Sequence, residues 1–67
     1  MSARRLGGML KRLREKRGMT QEQLAAKVGV SQTYIAKLES GAKTNPSLDL
    51  LKKLAKALKV KVGELLK

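Results

Sequence analysis

The stretch TQEQLAAKVGVSQTYIAKLE, residues 20–39, holds two short helix-forming segments with a glycine between them. Thr20 and Gln23 have the spacing of a capping box. In such a box the threonine hydroxyl accepts a hydrogen bond from the third helical amide, and the glutamine side chain accepts one from the amide of the cap. This pair predicts a helix that begins at Thr20 and extends to Lys27.

The end of this helix and the start of the next are marked within three residues. Gly29 suits the left-handed conformation that ends a helix, because it has no Cβ to strain. Ser31 is a candidate N-cap for a second helix over residues 31–39. Two helices joined by so short a turn cross steeply, which is helix-turn-helix geometry, and the second helix is then the one that enters a DNA major groove.

The second helix has one apolar and one polar face. Ile35 and Leu38 are predicted to face the core. The opposite side carries Thr33, Lys37 and Ser40, with Gln32 and Tyr34 at its flanks. No large apolar residue occupies that outer face, so it suits contact with DNA bases and offers nothing evident to an enzyme.

Before this pair of helices, residues 4–17 predict an amphipathic helix from apolar side chains at helical spacing. The adjacent pair Gly7-Gly8 conflicts with that pattern, since each glycine costs about 1 kcal/mol relative to alanine inside a helix. We therefore expect a frayed first turn or a helix that begins near Gly8, with residues 1–5 as a flexible basic arm.

After it, Gly41 is expected to end the third helix, and Ser47 to cap a fourth after a loop containing Pro46. The predicted core stripe of that helix consists of Leu48, Leu51, Leu54, Ala55 and Leu58. A short fifth helix is predicted over residues 60–66. Lys61 stands at the cap position and has a side chain that caps poorly. The sequence thus predicts a compact all-α bundle of five helices in one domain, residues 1–67.

The residues around the turn resemble those of the Cro/repressor (XRE) family of helix-turn-helix regulators. The matching residues are Gly18-Met19-Thr20-Gln21, Leu24-Ala25, Gly29-Val30-Ser31-Gln32, Ile35, Leu38-Glu39-Ser40-Gly41 and Pro46. The similarity continues to residue 66 and thus covers almost the whole chain. It implies a lambda-repressor-like fold and sequence-specific binding of double-stranded DNA. It also implies a homodimer on a palindromic site, with half-sites ~34 Å apart.

Three side chains of the helix predicted over residues 31–39 are the predicted base contacts. Gln32 can bond the N6 and N7 edge of adenine, because a carboxamide both donates and accepts, and the resemblance places it at a base-contact position. Thr33 can contact a thymine methyl or a phosphate. Lys37 can reach guanine or a phosphate.

The predicted phosphate contacts begin with Gln21, which lies at a helix N-terminus. The resemblance implies that it clamps a phosphate and touches Gln32. The remaining candidates are Thr20, Tyr34, Lys43 and Asn45. Tyr34 has two alternative roles in the fold, packing at the core edge or giving its hydroxyl to the backbone. The resemblance also implies a partly buried ion pair between Arg14 and Glu39.

The composition narrows the function classes. The chain has a net charge of +11 and contains neither cysteine nor histidine, which points to a polyanionic partner and away from thiolate metal sites, cofactors and histidine catalysis. Its five carboxylates are scattered, so we expect no metal site and no enzyme. Alternatives to a regulator are a non-specific, chromatin-like nucleic-acid binder and a cationic amphipathic membrane binder.

A cytoplasmic location is expected, because the sequence contains no apolar run that could span a membrane. We expect no small-molecule ligand and no further domain after residue 67. Leu50, Leu66 and the fifth helix are the candidate dimer contacts, although leucines of so small a domain can equally belong to its core. Phage repressors, restriction–modification controllers and antitoxins share this architecture, and repression and activation remain equally open.

Overall fold

A computed structural model describes residues 3–43 and 45–66, which form five helices and, within those ranges, no strand. The helices are α1 (Ala3–Lys16), α2 (Gln21–Val28), α3 (Gln32–Ser40), α4 (Leu48–Leu58) and α5 (Val62–Leu65). The predicted all-α, five-helix architecture is confirmed. Within the same part of the chain, no helix combines the length and the apolar character needed to cross a membrane.

The boundaries of α2 and α3 follow the predicted caps. Thr20 Oγ1 accepts from the Gln23 amide at 3.1 Å, and Gln23 Oε1 accepts from the Thr20 amide at 2.8 Å, which completes the capping box. Gly29 ends α2 with φ 76°, and Ser31 Oγ accepts from the Tyr34 amide. The helices therefore begin one residue later than predicted, because Thr20 and Ser31 cap them from outside.

Helix α1 runs through both glycines, so the expectation of a frayed start or a start near Gly8 is wrong. Arg4 and Arg5 belong to its first turn and not to a mobile arm; residues 1 and 2 lie outside the described residues. The reason lies in the packing of Gly7 against α3. An added Cβ would lie 2.5 Å from the Glu39 carbonyl oxygen and as close to that of Leu38. Glycine is required there because the two helices approach too closely for a side chain.

The core is a single apolar cluster to which all five helices contribute. Its most deeply buried large side chains are Leu6, Leu10, Leu24, Ile35, Leu38, Leu54, Leu58 and Leu65. One predicted core residue is misplaced: Leu48 is 55% exposed, because it occupies the first position of α4, above the core. Leu50, a candidate dimer contact, is only 9% exposed and packs in the core.

The C-terminal half has less regular helix ends. Ser47 caps α4 as predicted, its hydroxyl accepting from the Leu50 amide at 3.1 Å. At the other end Lys59 adopts the left-handed conformation, with φ 58°, and Arg17 Nε donates to the Leu58 carbonyl at 3.0 Å. Helix α5 forms although Lys61 makes no side-chain cap, and Leu65 anchors it in the core.

Candidate nucleic-acid interface

The outer face of α3 is polar and open. Gln32, Thr33 and Lys37 are all exposed, whereas Ile35 and Leu38 on the opposite side are fully buried. The apolar side anchors the helix, so the three predicted base-contacting side chains project from a surface that nothing in the described chain covers. Two hydroxyl groups lie at the ends of α3, and both are engaged by its backbone.

Those hydroxyls hold the helix ends and do not extend the polar face. Ser31 Oγ accepts at the N-terminus, and Ser40 Oγ donates to the Lys37 carbonyl at 3.1 Å while accepting from the Ala42 amide. Gly41 then ends α3 with φ 84°. A short helix capped at both ends presents its side chains with little fraying, which suits a recognition helix.

Arg14 and Glu39 meet between α1 and α3. Arg14 Nε lies 2.7 Å from Glu39 Oε2, and a second nitrogen lies 3.1 Å from Oε1, so the pair is bidentate. A third bond runs from Arg14 to the Met19 carbonyl at 2.7 Å, and Arg14 is only 8% exposed. The hydrogen bonds to Glu39 raise the pKa of Arg14 above its ordinary value, against the opposing effect of burial.

Gln21 joins this ion pair. Its amide nitrogen donates to Glu39 Oε1 at 3.0 Å, so this oxygen accepts from both Gln21 and Arg14. No hydrogen bond joins Gln21 to Gln32 among the described residues, so the contact that the resemblance implies between them stays a prediction. A primary amide has two hydrogens, so the second hydrogen of Gln21 remains available to another acceptor.

The other predicted phosphate contacts surround α3 at its two ends. Tyr34 is half-buried and packs against the core, with Lys43 Nζ 5.7 Å from its ring centroid. Thr20 is exposed, but its hydroxyl already accepts within the capping box. Lys43 and Asn45 are exposed in the loop after α3. The structure therefore brings Tyr34 and Lys43 into one contact, and within residues 3–43 and 45–66 it shows no hydrogen bond between Asn45 and the other candidates.

Two contributors to this surface were not predicted from the sequence. One is the Met19 carbonyl, which accepts a hydrogen bond from Arg14. Every residue has a backbone carbonyl, so the amino-acid type at position 19 does not indicate this role. The other is Gly7, which lets α1 approach the end of α3 closely. A glycine inside an otherwise regular amphipathic helix was the feature of the sequence that could have indicated this close approach. Among the described residues, no group of acidic side chains could hold a metal ion.

Comparison with known proteins gives a consistent result. A family described as Helix-turn-helix matches residues 10–65. The transcriptional regulator SlrR of Bacillus subtilis is 40% identical over 60 residues, which are 90% of this chain and 40% of SlrR. An HTH-type transcriptional regulator of Sinorhizobium fredii is 44% identical over 66 residues, covering 97% of this chain and 84% of that protein. The chain spans only about half the length of the SlrR and SinR relatives.

Solved structures match the fold as well as the sequence. SinR, a master regulator of biofilm formation solved in complex with DNA, superposes with a TM-score of 0.88 at 35% identity, covering 92% of this chain and 98% of that one. The restriction–modification controller C.AhdI from Aeromonas hydrophila gives 0.88 at 36% identity, covering 94% of both chains. PlcR of Bacillus thuringiensis, solved in complex with the peptide PapR7 and DNA, gives a TM-score of 0.85 at 33% identity, covering 94% of this chain and 22% of that one.

Proposed function

The chain belongs to the Cro/repressor (XRE) type of helix-turn-helix transcriptional regulators, and from this premise we propose that it binds a specific double-stranded DNA site through α3. The observation that carries the proposal is the outer face of α3, where Gln32, Thr33 and Lys37 are exposed on a helix capped at both ends. The regulators that it resembles are DNA-binding proteins and not enzymes.

The chemistry of that face suits base edges in a major groove. Gln32 lies in the first turn of α3, where its carboxamide nitrogen can donate to N7 of adenine and its oxygen can accept from the N6 amino group, the bidentate pairing that favours adenine. Thr33 beside it offers a methyl and a hydroxyl. Lys37, one turn later, supplies the single positive charge of the face. We assign Gln32 the largest share of the sequence preference, because its carboxamide both donates to and accepts from the edge of one base.

Gln21 supplies the phosphate contact in this proposal. Its half-buried amide is held by Glu39, which is itself held by Arg14, so the side chain does not have to lose much rotamer freedom on binding DNA. The second amide hydrogen then donates to a phosphate oxygen at the N-terminus of α2, where the helix dipole also favours an anion. Thr20, Tyr34, Lys43 and Asn45 are the further phosphate candidates.

A homodimer on a palindromic site completes the proposal. Leu66 is 43% exposed, and Leu48 is the other exposed large apolar side chain in the described part of the chain. Both lie in the α4–α5 half, away from α3. We propose that this half carries the dimer contacts, with Leu48 replacing the buried Leu50 as a candidate. Two half-sites ~34 Å apart would then face the two copies of α3.

The second candidate function is non-specific binding of nucleic acid, and the net charge of +11 favours it. Such a protein binds through counterion release, with a steep dependence on salt and little dependence on sequence. The two functions predict different DNA affinity and sequence preference near physiological salt. A regulator keeps its preference for one site, whereas a non-specific binder loses most of its affinity for every site.

The test is selection from a pool of random DNA duplexes at near-physiological salt, followed by sequencing of the bound fraction. We expect enrichment of an inverted repeat. Enrichment of a single short site would retain the role of α3 and contradict the dimer. An unenriched pool, with binding that disappears as salt rises, would assign the protein to the non-specific class.

A further inference from the structure

One groove on the surface has no residue of α3 in its lining. It has a volume of about 620 Å³ and lies between the last turn of α2 and the second half of α4. Four exposed lysines line it, Lys27 from α2 and Lys53, Lys56 and Lys59 from α4 and its end. We call this surface the lysine groove. None of these lysines has an ion-pair partner among residues 3–43 and 45–66, so the groove is strongly positive.

The floor of the lysine groove is apolar. The exposed Ala26 and the half-buried Ala57 line it between the lysines, whereas Val28 at its edge is already buried in the core. Small apolar side chains leave room for the side chains of another molecule, and covering them removes apolar surface from water. The groove therefore combines an apolar floor with a cationic rim.

The conformation of Lys59 is a second, independent observation. Gly18, Gly29 and Gly41 occupy the positive-φ positions at the ends of the first three helices, whereas α4 ends with Lys59 at φ 58°. A side chain is unfavourable in this conformation, and glycine is the usual residue there. Gly29 and Lys59 are the two such positions that line the groove, and at Lys59 the strained conformation brings an ammonium group to its rim.

Compensation of helix dipoles accounts for only part of this charge. The groove contains the C-terminal ends of α2 and α4, and each end carries roughly half a negative charge. The sum is about one charge, against four lysines. Lys53 also lies in the middle of α4, beyond the reach of a terminal dipole, so most of the positive charge is left for an external partner.

We propose that the lysine groove binds an acidic, amphipathic segment of a partner protein. Carboxylates of the segment would meet the lysine rim, and its apolar side chains would cover Ala26 and Ala57. A DNA backbone satisfies only the first requirement, because phosphates and sugars offer little to cover an apolar floor. Since no residue of α3 lines the groove, the protein can hold this partner and DNA together.

The experiment is a titration of the ¹⁵N-labelled protein with a short helical peptide of glutamate and leucine, with leucines four residues apart, followed by NMR. We expect amide shifts at Lys27, Gly29, Ala57 and Lys59 and none at residues 32–37. A matched peptide with serine in place of leucine should bind several-fold more weakly. Equal binding of the two peptides would contradict the role of the apolar floor.

Charge-matched variants separate the groove from general attraction. The double variant Lys53→Gln/Lys56→Gln should lose about tenfold in peptide affinity, if each surface pair contributes its usual amount. Lys52→Gln/Lys61→Gln removes the same charge from exposed lysines outside the groove and should lose much less. Equal losses from the two double variants would overturn the proposal.

Lys59→Gly separates a binding role of Lys59 from a purely structural one, because the two roles predict different combinations of stability and peptide affinity. The substitution relieves the positive-φ conformation, so the variant should melt at a higher temperature while binding the peptide more weakly. Unchanged peptide affinity would remove Lys59 from the site. A random-sequence DNA duplex is titrated in parallel; groove shifts with the duplex and none with the peptide would overturn the assignment to a protein segment in favour of a DNA backbone.

Discussion

The outer face of α3 and the lysine groove are both exposed and polar, but they are constructed in different ways. The α3 face carries one lysine among amide and hydroxyl groups, on a helix capped at both ends and tied to α1. The lysine groove carries four ammonium groups on flexible stems, which have no ion-pair partner in the described part of the chain. Charge attracts a polyanion without specifying its position, whereas a recognition surface needs side chains of defined direction. A dense cluster of positive charge therefore need not mark the face that we propose for base contacts.

Removing the support of the α3 face should have the largest effect. Glu39→Ala leaves the guanidinium of Arg14 buried without its carboxylate, and we expect a loss of about 3–5 kcal/mol in the free energy of unfolding. This is a large share of the stability of a domain of this size. Urea denaturation followed by circular dichroism measures it. Because folding raises the pKa of Arg14, the stabilisation by its charge is fully present below the pKa that Arg14 has in the unfolded chain. It is lost only as pH rises through the pKa in the folded protein. The destabilisation by Glu39→Ala should therefore not vary with pH near neutrality.

The control is the double variant Arg14→Met/Glu39→Leu, which strands no charge. It should recover a good part of the lost stability. A double variant as unstable as Glu39→Ala would show that the contacts themselves, and not the stranded charge, account for the cost.

Two adjacent glycines of α1 should respond with opposite signs. Gly7→Ala places a Cβ against the carbonyls of Leu38 and Glu39, which must force α1 and α3 apart at a cost of about 2–3 kcal/mol. Gly8→Ala meets nothing within 4 Å and should stabilise α1 by about 0.5–1 kcal/mol. Thermal melts of the two variants decide the matter. If both raised the melting temperature, the close approach of α1 to α3 would be refuted.

Within the α3 face, base and phosphate contacts should be separable. Gln32→Ala is expected to cost about 1–3 kcal/mol on the selected site and to relax one base position. Gln21→Ala should weaken binding to selected and random duplexes alike, because phosphates carry no sequence information. Fluorescence anisotropy with both duplexes measures the difference. Parallel losses on both duplexes for Gln32→Ala would contradict its assignment as a base contact.

The smallest effect compares one charge on each surface. Lys37→Gln should lower the salt dependence of DNA binding by about one unit of slope in log K against log salt, if Lys37 contacts a phosphate. Lys53→Gln should leave that slope nearly unchanged, because the lysine groove lies away from α3. Each variant loses one positive charge, so general electrostatics is matched. A change of slope for Lys53→Gln would place the groove on the DNA.

Much of the fold is encoded in short-range signals. Thr20, Gln23 and Ser31 specify helix starts through contacts three residues apart, and Gly29 and Gly41 specify helix ends through their freedom at positive φ. Such signals can be recognised in the sequence because both partners are visible within one turn. The burial of Ile35 and Leu38 followed from spacing in the same way.

Other features depend on contacts between distant segments and were mispredicted. Gly7 looked like a helix breaker because its partners, the carbonyls at the end of α3, lie more than thirty residues away. Leu48 fits the apolar spacing of α4 but is exposed above the core. The spacing predicts which face of a helix points inward, but it does not predict how deeply each residue of that face is buried. The hydrogen bond of Gln21 to Glu39 was not predicted, because it depends on how α2 crosses α3.

The capping contacts of α2, α3 and α4 also bear on how quickly the chain folds. Each joins a side chain to an amide three residues away, at Thr20, Ser31 and Ser47, so each can form without closing a long loop. The main entropic barrier is then the approach of α1, with Gly7 and Arg14, to the end of α3. Domains with mostly local contacts fold in microseconds to milliseconds. A chain that unfolds is therefore expected to recover its recognition helix on that timescale.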